Sequence, residues 1–298
     1  MLEKLAAVVF IAGGAFLLKR LGVLKREHGE VLLTKVLFYL LLPIAVFYFV
    51  ASTPITAELA LLPLAAALVS LVTLALSVAV VKALRTPDKT AGSLVAGVSI
   101  MNTGMMGYAV VVLLYGETAF SRVALFDFGM AFIVFTAIYF TASAFGKGRG
   151  NVLKSLKRVA AVPALWALVL GACASLAGVQ LGWLEPAFKQ VGAAVVPLLL
   201  VCLGLYFEPS LARKARLLAV GVLLRLGLGL VLGFAAVQLF GFTGLDRAVV
   251  LVCSVMPAGY NSILFAAKEG LDEEFAAALV SVTMVLSLLF LPLVLQLA

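Results

Sequence analysis

The sequence predicts an all-α integral membrane protein with ten transmembrane helices, arranged as two inverted five-helix repeats in which helices 4 and 9 are broken crossover helices. Three observations lead to this prediction. Of the 298 residues, 64% are hydrophobic and only 12% are charged, whereas a soluble domain carries roughly 25% charged residues. The chain divides into ten apolar runs, and a bilayer span needs about 20 apolar residues. The fourth and ninth runs carry matching interruptions at mid-length.

The ten runs follow one another with short connections and leave no room for a separate soluble domain. The predicted spans cover about residues 5–18, 31–50, 58–82, 90–115, 118–145, 159–180, 187–207, 217–240, 246–268 and 274–297. The first span is short, but Lys19 and Arg20 follow it instead of a small-x-small cleavage site. We therefore interpret it as a retained helix and not as a signal peptide.

The basic residues cluster in alternate loops, which predicts the orientation. These loops contain Lys19, Arg20, Lys25 and Arg26; Lys82, Arg85 and Lys89; Lys147, Arg149, Lys154, Lys157 and Arg158; and Arg213, Lys214 and Arg216. Cytoplasmic loops carry an excess of Lys and Arg, so we expect a multi-pass protein of the cytoplasmic (inner) membrane with both termini outside. The net charge of +8 then reflects topology, and no nucleic-acid partner is expected.

An internal repeat underlies the two interruptions. The pattern Ser-x-Met-x-x-Gly occurs at 99–104 and again 155 positions later at 254–259. Four further pairs lie 154 positions apart: Lys35 and Lys189, Pro43 and Pro197, Gly116 and Gly270, and Met130 and Met284. We predict a first five-helix repeat over 1–148, a cytoplasmic linker over 149–158 and a second repeat over 159–298. An odd number of spans per repeat inverts the second copy relative to the first.

Breaks at matching places in two halves of a membrane protein indicate the binding site of a carrier. The candidate substrate-binding residues are Asn102, Thr103, Gly104, Pro257, Gly259, Asn261 and Ser262. Each second half-helix begins at its break, and helix N-termini favour anions. No Asp or Glu lies in either break, which favours a small organic anion such as a carboxylate. Sodium held by backbone carbonyls and hydroxyls stays open, as does a purely structural role in close helix packing.

Three ionisable residues inside the spans are candidates for coupling or charge relay, namely Asp127, Arg225 and Lys35. Charges at membrane depth are costly and are functional candidates for that reason. Asp127 is the deepest acid and the best proton carrier, while Lys35 could extend to the interface. Arg225 could extend in the same way or pair with Asp127. The coupling ion is left open between H+ and Na+.

Neither a metal site nor an enzymatic site is expected. Cys173, Cys202 and Cys253 lie within apolar spans, show no metal-ligand spacing and are read as small buried hydrophobic residues. The single histidine, His28, lies in a charged loop. A Ser-His-Asp triad or a histidine metal centre is therefore excluded, and no cofactor is implied.

The break sequences resemble a known family. Residues 101–107 (MNTGMMG) with 114–116 (LYG), and residues 256–261 (MPAGYN), resemble the crossover segments of the auxin efflux carrier family, which is similar in fold to bile acid sodium symporters. The midpoint loop is short, and no proline occurs between Pro87 and Pro163, so the resemblance is to a prokaryotic-type carrier of organic acids.

The resemblance also implies a mechanism. Spans 1, 2, 6 and 7 would form a scaffold at a homodimer interface, and spans 3–5 and 8–10 a mobile core that moves by an elevator-type shift. The alternatives are a sodium-coupled symporter of bile-acid-like or other organic solutes, and a channel. A channel needs a continuous polar lining, and little polar sequence occurs in the spans beyond the breaks.

Overall fold

The computed structural model describes residues 2–23, 34–146, 157, 160–210 and 214–297. The predicted linker at 149–158, apart from residue 157, lies outside the described residues, and so does His28. The described residues form helices and connecting turns, and they contain no β-strand beyond one isolated bridge.

The described residues form twelve helices of different lengths. In chain order they are α1 (Leu2–Arg20), α2 (Thr34–Ala51), α3 (Ala57–Ala83), α4 (Asp88–Ser99), α5 (Thr103–Tyr115), α6 (Glu117–Ser143), α7 (Pro163–Leu176), α8 (Gly182–Tyr206), α9 (Ala215–Phe240), α10 (Gly244–Ser254), α11 (Asn261–Glu269) and α12 (Glu273–Leu297). Short π-helical turns interrupt α2, α6 and α9 and begin α5.

Six of these helices are long and apolar enough to cross a bilayer: α2, α3, α6, α8, α9 and α12. They correspond to predicted spans 2, 3, 5, 7, 8 and 10. Predicted spans 1 and 6 are the shorter helices α1 and α7, and predicted spans 4 and 9 are each divided into two helices. The chain is thus an all-helical, multi-pass integral membrane protein, and the shorter or divided spans occupy the first and fourth places of each predicted repeat.

The second halves of the two divided spans end in the same way. Helix α5 stops at Gly116, which has a φ of 85°, and α11 stops at Gly270, which has a φ of 68°. Left-handed backbone conformations favour glycine because it has no Cβ. These two glycines are one of the pairs that the sequence repeat aligns.

The chain forms two compact units. Unit 1 contains residues 1–60, 104–128 and 160–207, and unit 2 contains residues 61–103, 129–159 and 208–298. Unit 1 therefore holds predicted spans 1, 2, 6 and 7, and unit 2 holds spans 3, 8, 9 and 10, which is the grouping implied by the family resemblance. Spans 4 and 5 differ from that expectation, because each is divided between the two units near its middle.

Hydrogen bonds join the loop after α2 to α6 and to the last turn of α7 in unit 1, at the end of the unit that the charge pattern places outside. The hydroxyl of Thr53 donates to Ser121 at 3.0 Å, and Ser175 donates to the carbonyl of Thr53 at 2.6 Å. Lys189 and Glu117 form an exposed ion pair at 3.5 Å. Helix ends and a loop that are predicted to lie on the outer side therefore contact one another within this unit.

Unit 2 has a corresponding polar cluster among loops that are predicted to be cytoplasmic. Lys214 bonds to the carboxylate of Asp272 at 2.6 Å and to the hydroxyl of Thr90 at 2.6 Å. Thr90 also donates to Asp272, at 2.7 Å, and Ser93 donates to the Asp272 carbonyl at 2.8 Å. These bonds join the start of α4, the start of α9 and the start of α12 on one side of the unit.

Candidate functional site

Two helix breaks meet in unit 2. Helix α4 ends at Ser99 and α10 ends at Ser254, and the extended residues that follow them run antiparallel through a bridge between Met101 and Ala258. The amide of Asn102 donates to the carbonyl of Pro257 at 2.9 Å, and the amide of Gly259 donates to the carbonyl of Ile100 at 2.8 Å. We call the paired residues 100–102 and 256–258, with Gly259, the crossing. At membrane depth such backbone groups must find partners inside the protein.

Side chains bond to two further backbone groups of the crossing. The amide of Ala258 donates to the hydroxyl of Thr283 in α12 at 3.0 Å. Ser262, in the first turn of α11, donates its hydroxyl to the carbonyl of Gly259 at 2.7 Å. Pro257 has no backbone N–H, so the hydrogen-bond ladder of α10 cannot continue through it. The crossing is therefore held by a defined set of bonds.

The close approach of the two extended segments requires glycine at one position of the crossing. A Cβ placed on Gly259 would lie 2.6 Å from Cγ2 of Ile100 and 3.4 Å from the carbonyl oxygen of Met101. The first distance is shorter than the closest approach of two non-bonded carbon atoms. The absence of a side chain at Gly259 thus allows the two extended segments to pair.

The predicted substrate residues differ in accessibility. Five are buried, Gly104 is half-buried and Asn261 is exposed; the buried residues are Asn102, Thr103, Pro257, Gly259 and Ser262. Asn102 is only 6% exposed, and within the described residues its side-chain amide makes no hydrogen bond. The exposed amide of Asn261 opens α11 at its N-terminus. Two amide groups are thus available near the crossing in unit 2.

Arg225 takes a role that the sequence did not predict. Its side chain is 0% exposed within a π-helical turn of α9. The guanidinium donates to the carbonyl of Val98 at 2.8 Å and to the carbonyl of Ser254. Sequence reasoning had left open an extension to the membrane interface or a pair with Asp127. Instead, the side chain bonds to the backbone at the ends of two helices.

Asp127 lies close to another predicted site residue within unit 1. Its carboxylate oxygen Oδ1 lies 4.0 Å from the position that a Cβ would take on Gly104. Gly104 is the second residue of α5, so this half-buried carboxylate lies near a helix N-terminus, where a negative charge is stabilised. Lys35, the third coupling candidate, is exposed on α2.

Sequence reasoning missed two buried acids, Asp246 and Glu269. Glu269, in the last turn of α11, is buried and accepts a hydrogen bond from the hydroxyl of Tyr139, which is buried as well. The ring of Tyr139 also packs edge-on against Phe265, with centroids 5.0 Å apart. Glu269 adjoins Lys268 at the end of a predicted span, and this position made it resemble an interfacial residue.

Metal ligands do not cluster in the part of the chain that the structure describes. Among residues 2–23, 34–146, 157, 160–210 and 214–297, no group of three or more His, Cys, Asp or Glu side chains lies close enough to bind a metal ion. The polar groups at the crossing are amides, hydroxyls, backbone groups and one guanidinium. They suit the recognition of a polar or anionic solute.

Comparison with known proteins identifies the family. The model of the family described as membrane transport protein matches residues 1–295. The chain is 27% identical over 297 residues to an uncharacterized transporter of Methanothermobacter thermautotrophicus, covering 98% of this chain and 96% of that protein. It is 26% identical over 285 residues to an uncharacterized transporter of Methanocaldococcus jannaschii, covering 92% and 91%. The chain therefore belongs to the membrane transport protein family, which is the auxin efflux carrier family.

Proposed function

We propose that the protein is a secondary active carrier that moves small organic anions, such as carboxylates, across the cytoplasmic membrane by elevator-type alternating access. The crossing in unit 2 carries this proposal. It places broken helices, two amide side chains and no acidic side chain at one place in a membrane transport protein. Discontinuous helices of this kind bind substrate in carriers.

The anionic class follows from the groups that the crossing offers. Helix α11 begins at Asn261, beside the crossing, and the partial positive charge of a helix N-terminus favours an anion by about 0.3–1 kcal/mol when exposed and up to about 2 kcal/mol when partly buried. Charge-assisted hydrogen bonds from the side-chain amides of Asn102 and Asn261 to a carboxylate add to this preference. A carboxylate substrate would thus bind without a dedicated lysine.

Asp127 supports coupling to a proton. Within unit 1 its carboxylate lies beside Gly104 at the N-terminus of α5, and a charged aspartate at this helix end repels anions. Protonation of Asp127 removes the repulsion, so anion binding and proton binding favour each other. We propose Asp127 as the coupling group on this basis.

The division of the chain supports the elevator-type mechanism. Predicted spans 1, 2, 6 and 7 belong to one compact unit, and the crossing belongs to the other. An elevator-type carrier needs one unit that holds the substrate and a second unit that stays anchored. The homodimer and the outward orientation of both termini stay predictions, and the hydrogen bonds in each unit agree with the predicted division of its helix ends and loops between two sides.

Counterflow in proteoliposomes tests the proposal. Vesicles containing the purified protein are loaded with one unlabelled carboxylate at a time, chosen from a panel of monocarboxylates and dicarboxylates, and exchange with the same labelled compound outside is measured. A carrier predicts saturable uptake that is accelerated by internal substrate. Uptake that rises linearly with concentration and ignores internal substrate would indicate a channel, and the absence of counterflow for every carboxylate would contradict the organic-anion class.

A further inference from the structure

The two carbonyl groups that Arg225 contacts are the ones that the helix breaks set free. In a continuous helix, the carbonyl of Val98 would accept from the amide of Asn102, four residues later. The amide of Asn102 instead donates to Pro257 across the crossing. The freed carbonyl of Val98 accepts a hydrogen bond from Arg225 Nη1 at 2.8 Å.

The second break repeats this arrangement. The carbonyl of Ser254 would accept from the amide of Ala258 in a continuous helix, but that amide donates to the hydroxyl of Thr283. The freed carbonyl of Ser254 accepts a hydrogen bond from Arg225 Nη2. One guanidinium therefore satisfies one freed carbonyl from each broken helix, and all of these residues lie in unit 2.

The charges of these groups compensate one another. The C-terminus of a helix carries a partial charge of about −0.5, so the ends of α4 and α10 together approach −1. The guanidinium of Arg225 carries +1 and is not deprotonated in proteins. A buried charge is costly without such compensation. The balance explains how a fully buried arginine is tolerated in α9.

Helix α9 is shaped to bring the guanidinium to these carbonyls. Arg225 lies in a π-helical turn at 223–228, and Gly229 follows it four residues later on the same face. A Cβ on Gly229 would lie 2.7 Å from Arg225 Nη2 and would collide with the carbonyl oxygen of Ser254. The glycine thus leaves the space through which the arginine bridges the two helix ends.

We propose that Arg225 is a positioning residue that acts as a fixed internal cation, joining the two broken helices at carbonyls that would otherwise suit a bound metal cation. Carbonyls at half-helix C-terminal ends coordinate coupling cations in carriers with discontinuous helices. In this chain the guanidinium occupies two of them. The crossing is then expected to hold together without sodium, and its integrity depends on the positive charge of Arg225.

Amide hydrogen exchange in the substrate-free protein tests the proposal. The reporters are the amides of Asn102 and Gly259, which make the two hydrogen bonds of the crossing. Arg225→Met, which removes the charge and keeps an apolar side chain, is expected to speed their exchange at least tenfold. Lys82→Met removes an exposed basic residue from α3 in the same unit and serves as the matched control, with no change expected at either amide. Unchanged exchange in Arg225→Met would overturn the proposal.

Two further measurements separate a fixed cation from simple packing. Arg225→Lys keeps the charge and a donor and is expected to retain more protection than Arg225→Met. Guanidinium ion at low millimolar concentration is expected to raise the melting temperature of Arg225→Ala above its value in sodium chloride of equal ionic strength. Equal protection in the Lys and Met variants, or no specific effect of guanidinium, would assign Arg225 to packing alone and contradict the proposal.

The effect of sodium is tested with the wild-type protein. Its melting temperature and its exchange at Asn102 and Gly259 are expected to be the same in sodium chloride and in choline chloride at equal ionic strength. Specific stabilisation of these amides by sodium would show that a metal cation still binds the crossing, against the proposal. Because all readouts are made without substrate, failure here leaves the organic-anion proposal standing, and the reverse is also true.

Discussion

The amide of Gly259 donates a hydrogen bond to the carbonyl of Ile100 at 2.8 Å, which joins the ends of two helices from different halves of the sequence. This bond and its partner from Asn102 to Pro257 bring two extended segments within backbone hydrogen-bonding distance at a depth where unpaired backbone groups are costly. The relationship leaves no space for a side chain on Gly259.

Substituting Gly259 is therefore expected to damage the crossing. Gly259→Ala places a Cβ 2.6 Å from Ile100 Cγ2, and overpacking of this kind costs about 1–3 kcal/mol. We expect a lower melting temperature for the purified protein and faster exchange at the amide of Asn102. Gly14→Ala is the control, since nothing lies within 4 Å of a Cβ there. A Gly259→Ala variant as stable as Gly14→Ala would contradict the close approach.

The two amide side chains near the crossing are expected to bind substrate. Asn102→Ala and Asn261→Ala should each weaken binding of a transported carboxylate at least tenfold, a loss of about 1.4 kcal/mol, because each removes a hydrogen-bonding amide from the site. Binding is measured by calorimetry on variants whose melting temperature matches the wild type. If both variants bind with wild-type affinity, the crossing has only a structural role.

Replacing Asp127, the acid beside Gly104, is expected to change the pH dependence of carboxylate binding. A charged Asp127 repels anions, so wild-type affinity for a carboxylate should rise as pH falls. Asp127→Asn should bind with an affinity that is independent of pH and similar to that of the wild type at low pH. The measurement is a binding titration at several pH values, using a substrate whose own charge is constant over that range.

Glu269→Gln is the matched control for this titration. Glu269 is a buried acid, whereas Asp127 is half-buried; Glu269 lies at the C-terminal end of α11 and accepts a hydrogen bond from Tyr139. We expect the Gln variant to keep the wild-type pH dependence. If Glu269→Gln flattens the dependence and Asp127→Asn does not, Glu269 carries the proton instead.

The polar cluster of unit 2 predicts a loss of stability in acid. Burial raises the pKa of Asp272, but the hydrogen bonds from Lys214, Thr90 and the Phe275 amide outweigh it and lower the pKa below its usual value. A carboxyl group with a lowered folded-state pKa stabilises the protein above the unfolded-state pKa of about 3.9 and loses this contribution as pH falls through the folded-state value.

Melting temperatures of wild type and Asp272→Asn test this sign. The wild type should be the more stable protein at pH 7, and the difference should shrink once the pH falls below about 4. The variant Lys214→Met removes the ionic partner and should reduce the difference at pH 7. A gap that stays constant from neutral to acidic pH would show that the charge of Asp272 does not stabilise the fold.

Local chemistry explains what could be predicted from the sequence. Proline lacks the N–H that a helix requires and glycine releases the backbone, so Pro257, Gly259 and Gly104 indicate where helices stop. In the structure, α4 ends at Ser99 and α10 ends at Ser254, within a few residues of Gly104 and Pro257. All-helical architecture and membrane insertion follow as directly from composition.

Long-range contacts explain what could not be predicted. The side chain of Arg225 contacts carbonyls in two other helices, and no local pattern in α9 indicates these contacts. The same holds for the hydroxyl of Thr283 on the amide of Ala258. Only the three-dimensional arrangement shows that freed backbone groups, and not an acidic partner, compensate the buried charge.

The most direct test of the account is the binding of matched acid and amide pairs to the purified protein. The crossing offers amides and a helix N-terminus and contains no carboxylate, so negative charge on the ligand should be required. We expect a monocarboxylate or dicarboxylate to bind, and its uncharged amide to bind at least tenfold more weakly, a loss of about 1.4 kcal/mol. Equal affinity for acid and amide, or a preference for a cationic amine, would contradict the organic-anion carrier.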